Sequence, residues 1–305
     1  MNGITNKLLQ LVSGFTGSFE GAFSIREDGK CAGRRSTRNI HLEDKPDGPG
    51  LVIRVAPGTK GETVYIPACV THGNEDDLVY NDFYIGEDAD VTIVAGCGVH
   101  SDDSGDARHN GIHRFFIAKG AHVLYQEKHL ATGTGSGAKR IDPVTDIVLG
   151  QNASMEIDTI QLGGVSATDR KTTAVLDTRA RLLVRERIMT DGDETARTDF
   201  TVSVAGEDAG VDLVSRSVAR GRSHQEFFSC IQGRSRCTGH SECDAILAEQ
   251  GTVTAQPSLE ASHPDAALIH EAAIGKIAGE QILKLRTLGL TESEAEEKII
   301  AGFLA

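Results

Sequence analysis

The chain has 305 residues, 44 acidic against 31 basic for a formal charge of −13, and no tryptophan. That balance disfavours nucleic acid and anionic membrane surfaces, both of which want a basic face, and no apolar run approaches the roughly 18 residues of a membrane span. Aromatics at 5% and 34 glycines suit many tight turns and thin layers better than one thick core.

In chain order, Ile4, Leu8, Leu11, Val12 and Phe15 fall at helical spacing, which predicts a short helix over 3–16 within an N-terminal unit 1–20. This segment carries one early lysine, Lys7, and no continuous apolar run, so no secretory leader is expected. The six cysteines (Cys31, Cys69, Cys97, Cys230, Cys237, Cys243) lack a disulfide-framework spacing and are expected as thiols in a reducing cytoplasm. Residues 30–50, polar and rich in proline and glycine around Lys45-Pro46-Asp47-Gly48-Pro49-Gly50, read as a loop.

From Leu51 the texture becomes short β runs. Leu51–Val55, Val64–Ile66, Asp90–Val94, His113–Ile117, Val144–Val148, Ala180–Val184 and Phe200–Val204 are the clearest. A phrase recurs through them: an apolar residue, a polar or glycine turn, alanine, one residue, an apolar residue. It reads Ile85-Gly-Glu-Asp-Ala89-Asp-Val91, then returns around Ala121, Ala153, Ala180 and Ala209, at intervals of 32, 32, 27 and 29 residues. A repeat this steady predicts stacked coils, each with about two strands of four to six residues. We therefore expect a mainly β fold, a parallel β-helix over 21–260, in preference to an antiparallel sandwich, whose hairpins need not keep one period. The Arg-rich stretches Arg179–Arg187 and Arg216–Arg236 are expected as solvated strand faces or ion-pair partners.

After residue 260 the pattern changes. Ile274, Ile277, Ala278, Ile282, Leu285 and Leu288 form a helical stripe that predicts a helix over 265–288, started at Pro264-Asp265 and stopped by Gly289. Thr291 with Glu294 is a capping-box pattern ahead of a second helix whose apolar face holds Ala295, Ile299, Ile300 and Phe303. Residues 261–305 are thus expected as a helical pair that covers the last coil or docks a partner.

The residues able to carry chemistry are unevenly spread. His224, Cys230, Cys237, His240 and Cys243, with His263, His270 and Glu271 beyond, form the densest group of thiols and imidazoles. The cysteine gaps of seven and six residues match no zinc or ferredoxin spacing, so spacing leaves open both buried structural cysteines and a metal site. Cys97, His100, Asp102, Asp103, Asp106, His109 and His113 compose a second group, which equally suits a metal loop or an ordinary turn. No G-x-x-x-x-G-K-[ST] occurs, so the chain should not bind ATP by a P-loop of its own, and the run Thr132-Gly-Thr-Gly-Ser-Gly137 reads as a loop. A rival reading, a β-helix polysaccharide lyase or hydrolase, wants paired carboxylates and aromatic sugar platforms, which the absence of tryptophan and a total of four tyrosines disfavour.

The last 85 residues resemble the SufB/SufD family of iron–sulfur cluster assembly scaffolds. The resemblance is carried by Gly221-Arg-Ser-His224, Ile231-Gln-Gly-Arg-Ser-Arg-Cys237, Glu242-Cys-Asp244, Pro257-Ser-Leu-Glu260 and His270-Glu-Ala-Ala-Ile-Gly-Lys276, and by the tail Glu280–Leu290 with Ala301-Gly-Phe303. It implies a right-handed parallel β-helix and a scaffold, not an enzyme, that pairs with an ABC-type ATPase (SufC-like) through 265–305. It also implies a homodimer or a SufD-like partner through the β-helix, a sulfur donor, cluster-accepting proteins and a transient iron–sulfur cluster. Cys243 matches the family's functional cysteine, and His270 and Glu271 match its His-Glu pair. These three are the expected cluster ligands, and Cys243 with Glu271 places the chain nearer SufB than SufD, whose members keep the histidine, a non-catalytic SufD-like subunit being the alternative. Cys97 matches an internal cysteine on the family's path for sulfur. The long N-terminal region of larger members is not matched, so flavin binding is not expected. Gln126-Glu-Lys-His129 does not follow the family pattern, so none of those residues is carried over.

Overall fold

The computed structural model describes residues 1–305 and is a two-sheet β-solenoid with one helix at the N-terminus and two at the C-terminus. Its strands alternate between an 11-stranded and a 10-stranded sheet. From Lys60 onward strands stack in parallel on the strand one coil earlier.

The recurring alanines explain the corner. Ala89, Ala121, Ala153, Ala180 and Ala209 are all buried where the chain passes from one sheet to the other. Each alanine N–H closes a tight turn by donating to the carbonyl three residues earlier, as from Ala89 to Gly86 and from Ala209 to Gly206. The residue before each alanine (Asp88, Gly120, Asn152, Arg179, Asp208) has a left-handed backbone with φ between 54° and 68°. Glycine, Asn and Asp tolerate that region best and take four of these five positions, Arg179 being the exception. The turns also stack, Asp88 N–H reaching the Lys119 carbonyl and Gly120 N–H that of Gln151. A larger side chain than alanine would push the coils apart.

Most strands are longer than expected, commonly ten or eleven residues, because polar outward positions extend them beyond their apolar runs. The arginine-rich stretches carry cross-coil ion pairs, between strands from Arg185 to Glu156 and Arg187 to Asp158, and between turns from Arg222 to Asp193 and Arg236 to Asp208.

Helix α1 (Gly3–Ser13) starts on Asn2, whose side chain accepts from the Thr5 N–H, and ends at the left-handed Gly14. It lies on the outer face of one sheet and covers Cys69 with Leu8 and Leu9. That close approach needs Gly98: a Cβ there would come within 2.9 Å of the Leu8 Cβ.

Two expectations are corrected. The segment 30–50 is not a single loop. Lys30–Arg35 pairs antiparallel with Ala22–Glu27, and Ile40–Asp44 with Gly50–Val55, so hairpins close this end of the solenoid. Nor does a helix fill 265–288. Ala266–Gly275 is a strand in register on Cys237–Ile246, and α2 (Gly279–Arg286) is shorter than expected. Leu268, His270, Ala272 and Ile274 alternate with period two, only Ile274 of them belonging to the helical stripe, and the free sheet edge beside them takes the segment as a strand. The solenoid therefore runs to 275 rather than 260. α3 (Glu292–Phe303) opens with the expected capping box, Thr291 and Glu294 satisfying each other's backbone N–H groups.

Candidate functional site

Strand parity places the four residues singled out above. Along Cys237–Leu247, Cys237, Gly239, Ser241, Cys243 and Ala245 face inward and are buried, while His240, Glu242 and Asp244 face out. On the next coil His270 pairs with Ser241, Glu271 with Glu242 and Ala272 with Cys243. Cys243 and His270 thus share the inner face, whereas Glu271 is on the outer face, across the sheet from the thiol. His270 Nδ1 lies 3.0 Å from the Ser241 carbonyl oxygen and fixes the ring over that strand. Cys97 faces inward near the opposite end and forms part of the wall of a cavity of about 290 Å³ with Asn81, His109, His113 and the exposed Cys31.

The second group does not form a metal loop. His100 contacts Thr132 and Asp102, Asp103 is held by the Gly105 N–H, and His109 and His113 point into the solenoid.

What joins Cys97 to Cys243 is a buried polar column. The half of the interior beside the alanine corner is apolar, filled by residues such as Phe83, Phe115, Ile147 and Leu182. Beside it runs a polar band, and beyond that band a second, smaller apolar cluster holds Val70, Cys97, Val99 and Ile141. In register along one sheet, Ala95, Glu127, Thr159, Glu186, Ser215 and Cys243 stack on successive coils. Asn81 Nδ2 lies 3.3 Å from His113 Nε2, and His113 Nδ1 is 2.8 Å from the Tyr125 hydroxyl. That hydroxyl donates to Glu127 Oε1 at 2.9 Å, and Arg170 Nη1 donates to Glu127 Oε2 at 2.6 Å. Arg170 Nε then lies 3.6 Å from Glu186, which accepts from Thr198 at 2.9 Å and from Ser215 at 2.7 Å. Ser215 is the register partner of Cys243. His129 Nε2 lies 3.3 Å from Glu127 Oε1, Thr159 Oγ1, buried beside this column, has no hydrogen-bond partner, and a small void lies against Glu186, Ser215 and Ser217.

Gln126-Glu-Lys-His129 does not follow the family pattern, yet Glu127 and His129 are central here, as are Arg170 and Glu186. Alternation was the available signal: Val123 and Tyr125 are core positions, so Glu127 and His129 must face inward with them.

Electrostatics keep these groups in defined states. Burial raises Glu127, but the charges of His129 and Arg170 outweigh it and hold its carboxyl well below the usual range. Burial, with Glu127 adding to it, pushes the Cys97 thiol well up. Burial pushes Cys243 up to about 12, helped by Glu186 and Asp244. Both thiols are therefore protonated in the isolated chain and poor nucleophiles. We expect iodoacetamide at pH 8 to modify Cys31 at least about a hundredfold faster than Cys97 or Cys243, measured by peptide mass spectrometry over a time course. Equal rates would show that the solenoid opens readily.

Burial lowers His113 from 6.5 to about 4, against the pull of Glu127. The unfolded chain then takes up this proton near pH 6.5 and the folded chain only near pH 4. Stability is untouched above that window and falls as the pH drops through it, by about 3 kcal/mol at its foot. A His113→Gln variant should lose less stability than the wild type between pH 7 and pH 5. Parallel urea midpoints for the two proteins would contradict the assignment.

Comparison with known proteins adds a separate line. Residues 74–303 match the family described as SUF system FeS cluster assembly, SufBD core domain. An iron–sulfur cluster assembly SufBD family protein of Methanothermobacter thermautotrophicus (strain Winter) is 30% identical over 264 residues, which cover 84% of this chain and 62% of that relative. One from Archaeoglobus fulgidus is 29% identical over 265 residues, 86% of this chain and 70% of the relative. One from Methanocaldococcus jannaschii is 24% identical over 245 residues, 77% and 74% respectively. The chain spans about 62% of the length of the first of these relatives.

Proposed function

Because the chain belongs to the SufBD family of iron–sulfur cluster assembly proteins, we propose that it is a scaffold on which a nascent cluster is built, with the cluster as cargo and ATP hydrolysis left to a partner. The observation that carries this reading is the polar column between the Cys97 cavity and Cys243. A donor persulfide passes its outer sulfur to the Cys97 thiol and leaves as its own thiol; a thiol reductant supplies the two electrons that release it as hydrosulfide, which moves along the column past His129 and Arg170. It is held at Cys243, one coil from the end of the solenoid, with His270 on the same inner face. Glu271 serves from the outer face. A buried, protonated thiol must be opened to react, so access to Cys243 is the controlled step.

The C-terminal helices supply the handle. α2 buries none of its residues and leaves Leu283 in solvent, and Leu288 just beyond its end is exposed as well. An ABC-type ATPase of the SufC kind docks there, and its closure pulls on the last coil. The uncovered final strands pair with a second copy of the chain. The six free thiols suit a reducing cytoplasm. Family membership favours assembly over the polysaccharide-enzyme reading. The SufD-like structural alternative draws on one observation, the depth of Cys243.

Anaerobic reconstitution with ferrous iron and sulfide tests the proposal. The wild type should develop the visible sulfide-to-iron charge-transfer absorption, Cys243→Ser should lose it, and Cys97→Ser should keep it with free sulfide but lose it with a persulfide donor protein. No absorption in wild type, even with the ATPase present, would favour the structural subunit. Deleting 277–305, which spares the last strand, should abolish co-purification of the ATPase.

A further inference from the structure

The outer face near the end of the solenoid has an unusual excess of acceptors. Strands Gly210–Ala219, Cys237–Leu247 and Ala266–Gly275 bring Asp212, His240, Glu242, Asp244 and Glu271 to one patch. His240 Nδ1 lies 2.8 Å from Asp212 Oδ1. An ionised carboxylate only accepts, so the ring proton belongs on Nδ1 and the Nε2 lone pair is left free. That lone pair faces Glu271 Oε2 at 3.6 Å, acceptor against acceptor. Glu242 closes the third side, and one ligand atom from each of His240, Glu242 and Glu271 lies within 4.8 Å of the others. The neighbouring guanidinium, Arg216, is directed toward the Phe303 ring, 6.0 Å from its centroid. The group therefore needs either a second proton on His240 or a cation among the three.

We propose that His240, Glu242 and Glu271 bind a divalent first-row transition ion, ferrous iron foremost, with Asp212 orienting His240 from behind. One imidazole and two carboxylates are the borderline nitrogen and oxygen donors that such ions take, and they lack the thiolates that select clusters or cuprous copper. A carboxylate behind a ligating histidine fixes its tautomer and strengthens it as a donor. Three protein ligands leave positions for water or an incoming sulfide. Glu242 and Cys243 are adjacent in sequence and project from opposite faces of the same strand. Iron therefore waits outside the sheet at the point sulfur reaches from within. This role for the ion rests on the assembly reading above; its binding does not.

Cobalt(II), added anaerobically to the untagged full-length protein, reads the site by its d–d absorption, and equilibrium dialysis with ferrous iron reads affinity. One equivalent should bind without a thiolate charge-transfer band. His240→Ala should weaken binding at least about a hundredfold and Asp212→Asn about ten- to a hundredfold, both with unchanged melting. Cys243→Ser should bind as wild type does. The inference is overturned if the wild type takes up no ion saturably, if His240→Ala binds equally well, or if a thiolate-to-cobalt band appears and depends on Cys243. The assembly reading fails separately: cobalt bound normally with no cluster formed on reconstitution would sink that reading and leave this one standing.

Discussion

Replacing Arg170 by methionine is expected to destabilise the fold by about 4 kcal/mol. Arg170 is 5% exposed and is the cation between two carboxylates, Glu127 and Glu186, each 3% exposed. Removing one partner of a buried pair leaves an uncompensated charge in a poor solvent for it, and that cost exceeds the worth of the lost contact. Here Glu186 loses its one cation and Glu127 keeps only His129. The measurement is the urea midpoint of Arg170→Met against wild type at pH 7. A triple variant, Arg170→Met with Glu127→Gln and Glu186→Gln, removes all three charges at nearly constant volume and should recover most of the loss, because a neutral interior has little left to compensate. A loss below about 1 kcal/mol in the single variant would mean that water already fills the column and screens it. The triple variant also separates stability from function. It should fold yet fail to pass sulfur from Cys97 to Cys243, since the column would have lost its charged groups.

The second large effect concerns the end of the solenoid. The N-terminal end is closed by hairpins, but strands Thr252–Ala261 and Ala266–Gly275 have no further neighbour. Ten-residue edges with free N–H and C=O groups are a template for pairing. Their inward positions are also open: Leu259 is 37% exposed and Ile274 41%. α2 and α3 do not cover them, because α3 lies beside Arg220, Leu247 and Ala248 at the corner. A second copy stacked end to end would satisfy the edges and continue the core. The purified chain, 32.5 kDa by sequence, should elute at twice that mass by light scattering. Leu259→Asp with Ile274→Asp should make it monomeric with little change in melting, since both sites are already half in water. A wild type that stays monomeric at tens of micromolar would mean that the covering chain is a different protein.

Local grammar made much of this molecule legible. The alanine phrase marks the corner because a left-handed residue followed by a buried alanine leaves little choice of side chain, and the same chemistry recurs in each coil. Helix α1 and the capping box at Thr291 were equally local. The strand Ala266–Gly275 was not: its alternation is short, its last apolar residue Ile274 also begins the helical stripe, and a neighbouring sheet edge decided it. The candidate site divides the same way. Cys243, His270 and Glu271 could be named from their motifs, but not their sides of the sheet. Glu127, His129, Arg170 and Glu186 come from strands tens of residues apart, and no motif joins them.

The sequence by itself therefore determined the repeat, its corner chemistry, the mainly β class, and the identity of the thiols and imidazoles, since each rests on residues a few positions apart. Only the tertiary structure decided which of them meet. Successive coils differ in length by up to five residues, as the alanine intervals of 32 and 27 show, so stacking partners cannot be counted from the period. A shift of one residue turns every side chain to the other face. That parity sets Cys243 inside with His270, and Glu271 outside with His240.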